Sequence, residues 1–494
     1  MVNKISLIKV HADDNVAVCT RAVTSGETLS PLNISPLEDI AAGHKIALEN
    51  IKQGDVITKY GFPIGMATQD ILQGAHVHSH NLKTLLKDSD EFEYSPVSFA
   101  DTPAPQSRTF KGYRRENGKV GIRNEVWIIN TVGCVNRTAE RIAQECSLRF
   151  FGKCDGFRSY THPFGCSQLG DDLDDTRTIL ASLASHPNAG AVLIVGLGCE
   201  NNQLSKLLPN VDQPENRIRY FNSQEVTDEL EEGIKAVESL LRSMENDQRE
   251  DVSVSELVLG MKCGGSDAFS GITANPTVGR VTDLMCDLGG SVLLTETPEM
   301  FGAEQLLMNR AKNQTVFENI KSLILEFKQY FVSHKQPVYE NPSPGNKAGG
   351  LTTLEEKSLG AVQKGGQAQI QSVLQYGEKL ACKGLSLLQA PGNDAVSSTA
   401  LAASGAHIVL FTTGRGTPLG FPVPTVKISS NSDLAQRKPH WIDFNAGVIL
   451  EDTPIDECAN ALLQQCIDIA SGQLTCNEKN GSQEIAIWKR GVTL

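Results

Sequence analysis

The sequence predicts an α/β protein: a small, mostly β N-terminal domain, then a larger body of parallel sheets flanked by helices in Rossmann-like layers. Three observations carry that expectation. Residues 1–83 are short strand-like runs broken by turn signals, among them S-L-I-K-V, N-V-A-V-C and D-V-I-T-K-Y-G, with I-K-Q-G-D as a turn between runs. From residue 125 near-continuous apolar runs ending in glycine alternate with amphipathic stretches, the pattern of strands buried on both faces. A chain of 494 residues also exceeds what one ordinary core accommodates.

Taken in order, residues 84–110 read as a linker, because D-S-D-E-F-E-Y-S-P-V-S-F-A-D-T-P-A-P-Q-S-R is acidic, proline-rich and without period. An α/β domain is expected over 111–338. In it E-V-W-I-I-N-T-V-G-C precedes N-R-T-A-E-R-I-A-Q-E-C, and A-G-A-V-L-I-V-G-L-G-C precedes E-N-N-Q-L-S-K-L-L. E-L-V-L-G-M-K-C and G-S-V-L-L-T-E-T-P open two further strand–helix units. The punctuation P-V-Y-E-N-P-S-P-G-N-K-A-G-G then sets off a C-terminal α/β domain, 339–494, with L-S-L-L-Q-A-P-G and A-H-I-V-L-F-T-T-G-R-G-T-P.

Composition excludes several classes. The net charge of -13, with no run of clustered Lys and Arg, argues against a nucleic-acid partner. No segment approaches the roughly 18 apolar residues of a membrane span. Twelve cysteines without a secretory signal or a C-x-x-C spacing indicate a reducing cytoplasm. Oligomeric state is open; a homo-oligomer is compatible with the sequence.

The chemistry concentrates at a few places. G-A-H-V-H-S-H-N places His76, His78 and His80 two apart, on one face of an extended strand. Converging neutral imidazoles suit a divalent metal; the alternative is a solvated polar strand face. Cys134, Cys166, Cys199 and Cys263 sit at or near the ends of predicted strands, where they are soft ligands for iron or an iron–sulfur cluster, a nucleophile, or simple packing. The G-L-G at 196–198 lacks a third glycine, so a dinucleotide turn is rejected. Loops C-E-N-N, C-G-G-S-D, T-E-T-P-E and A-P-G-N-D, all at the ends of predicted strands, match a polyhydroxylated ligand in donors and acceptors. Arg415 in G-R-G-T-P is a carboxylate cradle, and Arg123 in G-I-R-N-E is either a second one or a structural ion pair.

The motifs G-H-K-I-A-L, H-V-H-S-H-N, G-I-R-N-E, T-V-G-C-V-N, H-P-F-G-C-S-Q-L-G-D-D, G-L-G-C-E-N-N, C-G-G-S-D, T-P-E-M-F-G-A-E, N-P-S-P-G-N-K-A-G-G and G-R-G-T-P resemble the altronate/galactarate dehydratase family over nearly the whole length. Leu419 departs from the aromatic expected after G-R-G-T-P. The resemblance implies a SAF domain, dependence on Fe2+ (Mn2+ or another divalent ion as substitutes), and dehydration of the sugar acid D-altronate to 2-dehydro-3-deoxy-D-gluconate in hexuronate breakdown. Under that reading His76 and His78 are metal ligands, with His44 and His80 as ligand or acid–base groups. Glu200 and Asp267 contact the reacting hydroxyls, and Arg123, Asn201, Arg415 and Thr417 bind the rest of the substrate. An opposing version places iron on Cys134, Cys166 and Cys199. Galactarate dehydration, carbon–sulfur cleavage of a sulfonated hydroxy acid, and non-catalytic sugar-acid binding are the alternative functions.

Overall fold

The computed structural model describes residues 6–86, 92–99 and 107–494. The N-terminal unit comprises β1 (Leu7–Ile8), β2 (Val16–Cys19), β3 (Lys45–Ala47), β4 (Val56–Lys59), β5 (Phe62–Ala67), β6 (His76–Val77) and β7 (Leu82–Lys83). These form two antiparallel sheets in the orders β1-β2-β3-β6 and β4-β5-β7. Alternation decides the packing: Ala17 and Cys19 face a small core of their own with Leu7 and Ile46, while Val16 joins the main core. The turn before β6 needs glycine, since Gly74 has φ +86° and a Cβ there would lie 2.3 Å from the Ser35 carbonyl oxygen.

The body opens with a hairpin of β8 (Thr109–Arg114) and β9 (Val120–Gly121). Next come β10 (Glu125–Asn130), β11 (Gly156–Tyr160), β12 (Ala189–Gly196) and β13 (Ile218–Asn222), a parallel sheet in the order β11-β10-β12-β13. The central strands β10 and β12 are buried at every position, which is why they read as unbroken apolar runs. Helices Asn136–Arg149 and Glu229–Met244 cover one face with Ile142, Val237 and Leu240. β14 (Glu250–Ser253) returns to pair antiparallel with β8.

A second parallel sheet contains β15 (Val258–Cys263), β16 (Ser291–Leu294), β17 (Ile370–Leu374), β18 (Gly384–Leu388), β19 (Ile408–Thr413), β20 (Thr425–Ser429) and β21 (Phe444–Asn445). Its order is β17-β18-β16-β15-β19-β20-β21. This corrects the division expected at 338/339: β16 pairs with β18 and β15 with β19, so one sheet takes strands from both sides of it. Proline and glycine mark a loop, but nothing in their number distinguishes a crossover within a sheet from a link between domains. The break between sheets falls instead after the helix Glu229–Met244.

Of the expected linker, residues 87–91 and 100–106 lie outside the described residues, and Thr109–Phe110 already belong to β8. Residues 92–99 have no regular structure and lie along the body, where the Val97 amide donates to the Asn309 carbonyl at 2.9 Å. One apolar core is continuous from Val16, Ile57 and Val77 to both faces of the large sheet. Among the described residues no helix is long and apolar enough to cross a membrane.

Candidate active site

The histidine row is not one extended strand. β6 ends at Val77, and residues 78–81 turn, with the Asn81 amide donating to the His78 carbonyl and the Asn81 side chain bridging the His78 amide and the His76 carbonyl. The rings converge nonetheless. The antiparallel register, Ile46 opposite His76 and Lys45 opposite Val77, brings His44 alongside His78. His44 lies 4.9 Å from His78 and 5.1 Å from His76 between ring centroids, and His76 lies 5.4 Å from His80. His44 Nδ1 and His76 Nε2 approach to 2.9 Å. Burial and the neighbouring imidazoles pull His76 down to about 4, and burial lowers His44 and His78 as well. These rings are therefore neutral at pH 7, the state in which a ring nitrogen is a metal ligand.

The body supplies a roof. Helix Pro344–Ala348 is capped by Ser343 and tied to the Ser266 carbonyl by Asn346 Nδ2 at 2.7 Å. Its last carbonyls face the rings: Lys347 oxygen meets His78 Nε2 at 3.0 Å, and Ala348 oxygen meets His44 Nε2 at 3.3 Å. The stretch N-P-S-P-G-N-K-A-G-G, which reads as punctuation, is thus a wall of the site. Behind it Lys45 Nζ donates to Gly350 O at 2.8 Å and to both oxygens of Glu356, which also accepts from Lys59 Nζ at 2.8 Å. All three side chains are buried. Burial alone would raise the Glu356 carboxyl, but Lys45 and Lys59 hold it well below its ordinary value. This trio clamps the N-terminal unit onto the body.

Two predicted ligand groups border the same place. Arg415 is exposed, and its Nη1 donates to Gly345 O, the roof helix's own carbonyl, at 3.1 Å. The remaining guanidinium donors face solvent with the geometry for a carboxylate. Thr417, two residues on, receives Lys427 Nζ on its carbonyl at 2.9 Å. Asp267 is buried against Gly349 and Gly414: a Cβ on Gly414 would sit 2.2 Å from its carboxyl carbon. Its Oδ1 accepts from Ser270 and Ser430, and its Oδ2 from Asn431 at 3.2 Å. Burial raises its carboxyl.

Three predicted residues are elsewhere. Arg123 is not a substrate-binding residue, since all five of its donors are used on Glu478 and the carbonyls of Ile122, Ile469 and Gln473. Glu200 locks its own turn: it accepts from the amides of Leu197 and Gly198 and from the Thr131 hydroxyl. Asn201 accepts from the Ser167 amide at 2.9 Å and so joins the loops after β11 and β12. Cys134, Cys166 and Cys199 are exposed on adjacent loops of that four-stranded sheet.

Sequence reading missed the buried charges at the ends of the central strands. Lys262 Nζ contacts Glu296 Oε1 at 2.5 Å and Asp394 at 2.8 Å, and Glu299 contacts Lys357 at 2.7 Å and the Cys263 thiol at 2.8 Å. Glu296 sits in the left-handed region at φ 71°. Cys263, Glu296 and Glu299 are the one trio of potential ligands drawn within 4.8 Å of each other among the described residues. The ammonium groups of Lys262, Lys357 and Lys364 already balance them, so the trio needs no ion. The available signal was a lysine inside the buried run V-L-G-M-K-C. A cavity of 840 Å³ walled by Tyr60, Val97, Arg280 and Arg310 contains none of the residues named for the histidine site.

Comparison with known proteins agrees with the layout. Residues 5–85 match the altronate/galactarate dehydratase SAF domain, 112–245 the D-galactarate dehydratase/altronate hydrolase second domain, and 254–493 the D-galactarate/altronate dehydratase C-terminal domain. The chain is 53% identical to an altronate dehydratase of Bacillus subtilis, over 99% of this chain and 100% of that one. It is 50% identical to an altronate dehydratase of Escherichia coli over 99% of both. To the L-threo-forming galactarate dehydratase of Escherichia coli it is 34% identical, over 94% of this chain and 93% of that one. On these matches the chain belongs to the altronate/galactarate dehydratase family.

Proposed function

We propose that this protein dehydrates D-altronate to 2-dehydro-3-deoxy-D-gluconate in the cytoplasm, within hexuronate breakdown, with a divalent ion (Fe2+ or Mn2+) at the histidine cluster. The observation that carries the substrate is the identity gradient: 53 and 50% to altronate dehydratases against 34% to a galactarate dehydratase, all over nearly full length.

The reaction breaks the C2–H bond and the C3–O bond; hydroxide leaves as water once protonated, and the enol so formed becomes the 2-ketone. The C2–H is a weak acid, and charge accumulates on the adjacent carboxylate as it is lost. Arg415 faces solvent beside the roof helix and holds that carboxylate. His44, His76 and His78 offer neutral nitrogens from two adjacent strands, the donor set a borderline divalent ion takes. His78 Nε2 meets the Lys347 carbonyl at 3.0 Å, a contact this nitrogen would give up to hold an ion. When bound, such an ion withdraws electron density from the substrate's oxygens. His80 is exposed at the rim, its ring 5.4 Å from that of His76. Asp267 orders Ser270, Ser430 and Asn431 around the loop that carries Arg415.

The test is 2-keto-acid formation by the purified chain from D-altronate and from galactarate, with and without added Fe2+. Turnover of altronate well above galactarate supports the reading; turnover of galactarate alone, or binding without turnover, overturns it.

A further inference from the structure

Twelve cysteines are described, and the three that are exposed are Cys134, Cys166 and Cys199. Free cysteine is ordinarily among the most buried residue types, so exposure of these three, and of these alone, requires a reason. Their placement supplies one. Strands β11, β10 and β12 are neighbours and parallel, so the loops after them leave the same edge of the sheet. Each loop carries one of the cysteines a few residues beyond its strand. This is the edge at which parallel sheets bind ligands.

The loops are also fastened to one another at the cysteines. The Gly133 amide donates to the Phe164 carbonyl at 2.9 Å, and the Asn202 amide donates to the Gly165 carbonyl at 2.9 Å. Asn201 receives the Ser167 amide, and Asn202 Nδ2 reaches the Thr131 carbonyl at 3.1 Å. Cys166 is thus held between two residues that bond the Cys199 loop, and Cys134 follows a residue that bonds the Cys166 loop. Glycine makes the approach possible: a Cβ on Gly165 would lie 2.1 Å from the Thr131 carbonyl oxygen, and one on Gly133 2.8 Å from that of His162. Glu200, with its oxygens on two turn amides and a hydroxyl, holds the Cys199 turn rigid.

We propose that Cys134, Cys166 and Cys199 bind a four-iron, four-sulfide cluster. Three exposed thiols on three mutually bonded loops at one sheet edge are the ligand type such a cluster takes. Three thiolates ligate three of its irons and leave the fourth for an oxygen ligand, the chemistry of water or of a hydroxy acid. The N-terminus of helix Asn136–Arg149, two residues past Cys134, favours the cluster's negative charge. The site is separate from the histidine cluster and does not depend on the ion proposed there.

The test is anaerobic reconstitution of the full chain with Fe2+ and sulfide, followed by iron and acid-labile sulfide analysis and visible absorption. About four irons and four sulfides per chain are expected. Cys134→Ser, Cys166→Ser and Cys199→Ser should each lower both to background, while Cys382→Ser leaves them unchanged. Circular dichroism of the same samples checks that the variants are folded. Sulfide at background in the wild type, iron bound without sulfide, or a cluster that survives all three serine variants overturns the proposal.

Discussion

Two polar clusters in this protein, one around Lys262 and one around His76, are put to opposite use by the fold. Around Lys262 every charge is paired, and all but the partly exposed Asp394 are buried or nearly so: Glu296, Asp394 and Glu299 meet the ammoniums of Lys262, Lys357 and Lys364. Around His76 the groups are half-buried, neutral, and bonded mainly to one another and to two backbone carbonyls. The first arrangement is closed, because each ion has already been repaid for its lost water by another ion. The second is open, since neutral rings can exchange a hydrogen bond for a metal or a proton at little cost. Saturation, rather than the number of ionisable groups, separates the part that holds the fold from the part free to react.

The largest expected effect comes from opening the closed cluster. Lys262→Met leaves Glu296 and Asp394 without their central partner, and denaturant unfolding should show a loss of about 3–5 kcal/mol; unchanged stability would erase the contrast between the clusters. Next is Arg415→Ala on the open side. Its guanidinium makes one bond to protein, so stability should hold while kcat/KM for altronate falls roughly 10- to 100-fold, the worth of a charged hydrogen bond. A fall in stability with unaltered kcat/KM would make Arg415 structural.

Acid sharpens the comparison further. Glu356 is held below its ordinary value, so the stability it contributes is present above about pH 4.3 and is lost as pH falls below that toward the folded value. Glu356→Gln should therefore flatten the acid limb of a stability–pH profile; an unaltered limb would show that the clamp carries no ionic stabilisation. The smallest change belongs to the exposed pair Arg242–Glu238, whose removal by Arg242→Ala should shift stability by less than about 0.5 kcal/mol.

How much of this was legible follows the same division. The strands β10, β12 and β19 are buried along their length, and β15 after its first residue, so their apolar runs stand out. The edge strands β11 and β13, G-F-R-S-Y and I-R-Y-F-N, are only partly buried and admit arginine, which conceals them. The period-two histidines do lie together, but through a turn rather than along one strand face. Arg123 was ambiguous because its partner, Glu478, lies 355 residues away in the chain. Glu200 misled for a local reason, as a carboxylate that caps its own loop has the same letters around it as one that binds a sugar. Lys45, Lys59 and Glu356 were invisible as a group, since only the folded chain brings them together.

The most direct test of the histidine site compares wild type with His78→Ala after exhaustive chelation and resupply of Mn2+, following 2-keto-acid formation from D-altronate. The account predicts that chelation stops the reaction, that Mn2+ restores it in the wild type, and that His78→Ala stays inactive while folded. Full activity in the chelated wild type, or equal restoration in the variant, would contradict it.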